Sequence, residues 1–254
     1  MSTTPKTRMS VPGTRTGSRR ALPRAPRNRN WLLDFYASGV GKKYVMAITG
    51  IILMGYVLAH MVGNLKLYLG PEAINTYGEW LRELGEPAFP RTVLLWLMRT
   101  ALIAAFVFHI HAAYSLTLMN RAARPVGYAS RRDYVAANFA SRTMRWTGVI
   151  VLLFVVFHLM DLTWGNANPD FVKGDVYANM VASFQRVPVA IIYVIANLAL
   201  GLHLYHGTWS LFQSMGWNNR RFNHWRRYFA VAFALLITVG NVTFPIAVVT
   251  GIVS

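Results

Sequence analysis

Gly201-Leu202-His203-Leu204-Tyr205-His206-Gly207-Thr208-Trp209 sets two histidines, three residues apart, in a run that is otherwise apolar and helical in its spacing. Outward from it, six of the seven histidines lie in such runs: His60, His109, His111, His158, His203 and His206. An ionisable side chain at bilayer depth is costly unless a partner satisfies it. A cost repeated over four apolar segments asks for a common explanation, and metal ligation supplies one. A single intramembrane histidine can instead hydrogen bond to a neighbouring helix, so the case rests on the set.

The apolar runs delimit five spans, at about 45–69, 92–119, 144–165, 187–214 and 228–251. Each is long enough to cross a hydrocarbon core of roughly 30 Å. The chain has 254 residues, 54% of them hydrophobic, and carries 26 Lys and Arg against 9 Asp and Glu. In a soluble protein that excess would suggest nucleic acid. Here 20 of the 26 fall before the first span, between the second and third or at Arg145 in the first turn of the third, and between the fourth and fifth. Glu72, Glu79, Glu83, Glu86, Asp170 and Asp175 fall in the other connections. The positive-inside rule then predicts an all-α membrane protein of five transmembrane helices, N-terminus cytoplasmic and C-terminus outside, with a four-helix core able to bind a cofactor. Trp31, Trp80, Trp146, Trp164, Trp217 and Trp225 fall near the expected interfaces, as aromatic belts do.

Residues 1–30, with eight Lys and Arg among Pro, Gly, Ser and Thr, read as a disordered basic tail. It lacks interleaved aromatics, and attraction to anionic lipid accounts for its charge, so no nucleic-acid partner is expected. Residues 31–254 read as one membrane domain without an internal repeat. With no cysteine, the chain cannot itself supply thiolates to an iron–sulfur cluster.

Depth along each helix pairs the histidines. His60 and His158 lie late in outward-going helices, and His109 and His203 past the middle of inward-going ones. The four form two layers, roughly 10–15 Å apart at about 1.5 Å of rise per residue. One histidine from each of two helices is what a bis-imidazole b-type haem requires. His109 and His111 are about 200° apart around their helix and cannot share a face, whereas His203 and His206, about 60° apart, can. One of each doublet is left for hydrogen bonding. Asp161 is placed to orient His158, to pair with Arg99 or to move protons. Asn64, Asn197 and Asn241 read as interhelical hydrogen-bonding groups, and Gly50, Gly55 and Gly201 as points of close helix approach.

Several stretches together carry a family resemblance. They are Ser38-Gly39-Val40-Gly41-Lys42-Lys43 leading to Met46-Ala47-Ile48-Thr49-Gly50 and His60-Met61; Phe108-His109-Ile110 followed by Asn120-Arg121-Ala122-Ala123-Arg124-Pro125; Phe157-His158-Leu159; and His203-Leu204-Tyr205-His206-Gly207 with Ser210-Leu211-Phe212-Gln213 and Gly216-Trp217. In this order the chain resembles the cytochrome b membrane-anchor subunit of succinate dehydrogenase and fumarate reductase (respiratory complex II), in its five-helix single-subunit form. The resemblance covers about 31–251. It implies His60 with His158 as one pair of haem ligands and His109 with His203 as the other, leaving His111 and His206 as cofactor-side residues. It further implies two haems b, a flavoprotein subunit carrying FAD and an iron–sulfur subunit docked on the cytoplasmic side. Menaquinone would be the electron acceptor, and a homo-oligomer of the complex is compatible with it. The expected location is a bacterial cytoplasmic membrane, within the tricarboxylic acid cycle and respiratory chain. The dicarboxylate active site would belong to a partner, leaving no catalytic residue here.

A quinone head group needs donors beside an apolar slot. Ser38, Lys42 and Trp217 on the inner side, or Glu79 and Glu86 on the outer, are candidates. The competing functions are a cytochrome b subunit of another respiratory dehydrogenase, an anchor of the same family whose inner histidines ligate an iron–sulfur cluster, and a transporter with proton-relay histidines. The lack of Pro/Gly-broken helix pairs speaks against the last.

Overall fold

The computed structural model describes residues 30–123, 139–217, 219 and 221–254. The basic tail expected over residues 1–30 therefore lies outside the described residues but for Asn30, as does much of the arginine-rich connection after the second span.

Helix α1 (Trp31–Ala37) and helix α2 (Gly39–Asn64) meet at Ser38. The Ser38 hydroxyl donates to the Phe35 carbonyl at 2.6 Å and accepts from the Gly41 amide at 2.9 Å, closing one helix while capping the next. That cap starts the first span some six residues earlier than its apolar run suggests. A 3-10 turn (Leu65–Leu69) extends α2, and α3 (Pro71–Glu83) follows. Helices α4 (Val93–Ala122), α5 (Phe139–Leu162), α6 (Val176–Gln185), α7 (Val187–Ser214) and α8 (Asn223–Val249) complete the order. Five of these, α2 with its extension, α4, α5, α7 and α8, are long and apolar enough to cross a membrane. They match the five expected spans. No strand occurs among the described residues.

Helices α1, α3 and α6 are additions to the five-span expectation. The acidic connection 70–91 is mostly helix, and so is much of 166–186. Asn75 of α3 joins them: its amide Nδ2 donates to Asp175 Oδ1 at 2.9 Å, and its Oδ1 accepts from the Val176 and Tyr177 amides. Tyr177 in turn donates to the carbonyl of Ser254 at 3.0 Å. Helices α3, α6 and the C-terminus thus close one end of the bundle, the capped end. Five spans put α1 and the α7–α8 connection at the other, basic end.

Helix α2 packs against α4, α5 against α7, and α7 against α8. Small residues set the closest approaches. A Cβ on Gly201 would fall 2.1 Å from Thr238 Oγ1, a contact that calls for glycine, and one on Gly240 would lie 2.6 Å from Met61 Sδ and displace that side chain. Gly55, by contrast, has nothing within 4 Å and is no approach point. Asn197 donates to the Tyr193 carbonyl of its own helix at 2.8 Å rather than bridging helices. Neither α2 with α5 nor α4 with α7 is a closely packed pair. These are the helix pairs that carry the histidines expected to meet.

Candidate functional site

Across each of those two looser pairs the imidazoles face one another. His60 and His158 have ring centroids 5.8 Å apart at an interplanar angle of 89°, and His109 and His203 6.4 Å apart at 64°. Two imidazoles sharing one metal atom, at about 2.0–2.1 Å per metal–nitrogen bond, hold their centroids roughly 6 Å apart. Both pairs fit that spacing. No group of three or more His, Asp or Glu side chains gathers among the described residues, so the donor sets are pairs.

The two layers share one register. Thr49 and Gly50 of α2 lie beside His109, and His60 is ten residues further along the same helix. Thr147 and Gly148 of α5 lie beside His203, again ten residues before His158. Ten residues rise about 15 Å, the upper end of the expected separation.

Hydrogen bonds assign the tautomers. Thr49 donates its single hydroxyl proton to the Val45 carbonyl at 2.7 Å, so toward His109 Nδ1, 3.2 Å away, its oxygen can only accept. Thr147 donates to the Met144 carbonyl at 3.0 Å and accepts from His203 Nδ1 at 3.4 Å. Tyr193 donates to Asp161 Oδ2 at 2.9 Å and accepts from His158 Nδ1 at 3.4 Å. Each of these three imidazoles therefore carries its proton on Nδ1 and keeps the Nε2 lone pair as an acceptor. Gly50 and Gly148 leave room for the rings: a Cβ there would lie 3.6 and 3.4 Å from Cε1 of His109 and His203.

Threonine, glycine and tyrosine partners escape a reading that looks only for ligands, yet a signal for the first two is present. Met46-x-x-Thr49-Gly50-x9-His60 and Met144-x-x-Thr147-Gly148-x9-His158 are the same pattern. An aromatic ring precedes each histidine by four residues, Tyr56 against His60 at 5.4 Å and Phe154 against His158 at 5.8 Å. The expectation of no internal repeat is therefore corrected: α2 and α5 repeat one histidine-supporting segment. Hydropathy hides it, because the intervening positions are all simply apolar.

Asp161 is fully buried and binds Arg186 Nη2 at 2.5 Å, with Ser183 and Tyr193 as further donors. Pairing with Arg99 is thus corrected; Arg99 instead lies over the Trp96 ring. Arg186 also donates to the Ala167 carbonyl at 2.7 Å. The carboxylate is compensated, and it reaches His158 through Tyr193.

The remaining candidates separate. His111 binds the Tyr36 hydroxyl through Nδ1 and stacks on that ring, facing α1. His206 makes no ring contact with another imidazole among the described residues. Lys42 donates to the Tyr36 carbonyl at 3.0 Å and lies over its ring, and Ser38 is a helix cap. Trp217 lines a different pocket, at the α7–α8 turn. Glu79 is tied to Arg82 and Arg91.

Five apolar spans and two opposed imidazole pairs in stacked layers define a multi-pass helical membrane protein. Residues 119–242, just under half of the chain, match the model of the succinate dehydrogenase/fumarate reductase transmembrane subunit family. The matched region contains His158 and His203; His60 and His109 lie before it, the former on the repeat of the matched α5 segment. No curated protein and no solved structure gives a significant match to the chain.

Proposed function

We propose that the chain anchors a succinate:quinone oxidoreductase and carries electrons across the bundle through two b-type haems. The observation that supports this best is the meeting of His60 with His158 and of His109 with His203, the second pair lying beside Gly50 and Gly148, ten residues before His60 and His158 on α2 and α5. His60 and His158 would hold the haem near the capped end, and His109 and His203 the one nearer the basic end. Each haem iron, when bound, accepts and releases one electron, so two of them form a path between the two sides of the membrane.

The chain's own groups prepare that path. Thr49, Thr147 and Tyr193 fix imidazole tautomer and orientation, and the apolar helix faces exclude water. The Arg186–Asp161 pair holds Tyr193 in place beside His158. His111 and His206 are not ligands on this reading. The basic end faces the cytoplasm, where its arginines suit docking of an acidic iron–sulfur and flavoprotein partner. The membrane is the bacterial cytoplasmic one and the acceptor menaquinone. The dicarboxylate chemistry belongs to the partners.

A reduced-minus-oxidised spectrum with pyridine-haemochrome quantification on the purified complex tests the reading. Two haems b per chain are expected, one in His158→Ala or His60→Ala, and two in His111→Ala. Full haem in His158→Ala would overturn the pairing. A colourless wild-type protein would overturn haem altogether.

A further inference from the structure

At the basic end, where α7 turns into α8, a pocket of about 310 Å3 is lined by Phe212, Trp217, Phe222, Asn223, Arg226 and Phe229 among others. None of these serves the histidine pairs. Arg226 is only 8% exposed, yet its Nε and Nη1 have no hydrogen-bond partner, and its guanidinium lies over the Trp209 ring at 5.2 Å. Asn223 Oδ1, in the same pocket, is likewise buried without a partner. A buried guanidinium with two idle donors is costly unless an acceptor completes it.

Among the described residues no acceptor completes it. Helix α8 begins at Phe222 without a side-chain cap and has no acidic residue in its first turn, so its amide dipoles add to the positive field. Arg220, Arg221, Arg226 and Arg227 follow one another with no Asp or Glu between them. The site therefore calls for an anion. Asn223 Oδ1 calls in addition for a hydrogen-bond donor on the same molecule. The rest of the wall is aromatic, and Trp217, Phe222, Trp225 and Phe229 are exposed at the end of two membrane-spanning helices, level with lipid headgroups.

We infer that this pocket binds the headgroup of an anionic phospholipid, with the phosphodiester on Arg226 and a headgroup hydroxyl on Asn223. The apolar wall receives the glycerol and the start of the acyl chains. A neutral quinone carbonyl would leave the charge unanswered, and a free phosphate would leave the aromatic wall unused. The site is independent of haem, so its success or failure does not bear on the electron-transfer reading.

The test uses the purified complex, delipidated in detergent, with thermal unfolding and native mass spectrometry. Mixed micelles containing phosphatidylglycerol are expected to raise the melting temperature and leave one additional lipid bound. Phosphatidylcholine, which lacks the hydroxyl and the net charge, and inorganic phosphate at equal concentration are expected to do neither. Arg226→Gln and Asn223→Leu should each weaken phosphatidylglycerol retention by about tenfold or more, with Arg226→Lys in between. Should Arg226→Gln not fold, the lysine and Asn223 variants carry the test. Equal effects from phosphatidylcholine overturn the assignment, as do variants that retain the lipid like wild type. A full shift from inorganic phosphate alone overturns the lipid as its source.

Discussion

Thr147 shows how a hydroxyl beside an imidazole fixes which ring nitrogen is left without a proton. Its hydroxyl proton is spent on Met144, so its oxygen receives the His203 N–H and turns the other ring nitrogen toward His109. Thr147→Val keeps shape and removes the acceptor. Loss of such an outer partner weakens a metal site by roughly 10–100-fold. The variant should lose haem from the His109–His203 pair on gel filtration while keeping the His60–His158 haem. Haemochrome counts and the two haem midpoint potentials separate these outcomes, and unchanged values for both would show that the hydrogen bond is idle. Thr49→Val is expected to act on the same pair through His109.

Two contacts govern the elements. The α7–α8 contact depends on Gly201, where any Cβ would run into Thr238 Oγ1 at 2.1 Å. Gly201→Leu should cost about 1–3 kcal/mol of overpacking strain or more, read as a lower melting temperature. Gly55→Leu, which faces open space, should not lower it. The second contact is the capped end, where Asp175 begins α6 and meets Asn75. The Ala178 amide, and after it the Asn75 side chain, holds the Asp175 carboxyl below its ordinary pKa. A folded pKa below the unfolded one contributes stability that is complete above about pH 4 and lost as pH falls through the folded value. The protection factor of the Ala178 amide, its exchange corrected for the intrinsic pH dependence, should therefore fall as wild type is acidified. In Asp175→Asn, whose cap is neutral, it should not gain this acid dependence.

Charge is divided over the whole molecule. Seven of the nine Asp and Glu belong to the capped end, and 20 of the 26 Lys and Arg to the basic end or the sequence leading to it. The positive-inside rule then predicts that the capped end lies outside. Because the chain has no cysteine, single-cysteine variants report this directly. Glu83→Cys should react with a membrane-impermeant maleimide in intact cells, and Arg227→Cys only after lysis. The reverse pattern would invert the orientation and move the partner-docking surface to the other end.

The amino-acid sequence by itself determined the five spans, because about 30 Å of hydrocarbon demands some twenty apolar residues whatever they pack against. It also carried the two layers of histidines, since depth follows from rise per residue and chain direction alone, but not which member of each doublet faces its partner. The helix starts at Ser38 and Asn223 and the helices over 71–83 and 176–185 came out only in the structure, because caps and side-chain bridges such as Asn75 to Asp175 override local hydropathy. Tertiary structure alone chose Arg186 over Arg99 for Asp161, turned His111 toward Tyr36, and brought Tyr193 to His158. Depth says how far along a helix a side chain lies, whereas its azimuth and its partner depend on how neighbouring helices are rotated. That rotation is set by sums of small contacts, such as Gly201 on Thr238, which no single stretch of sequence contains.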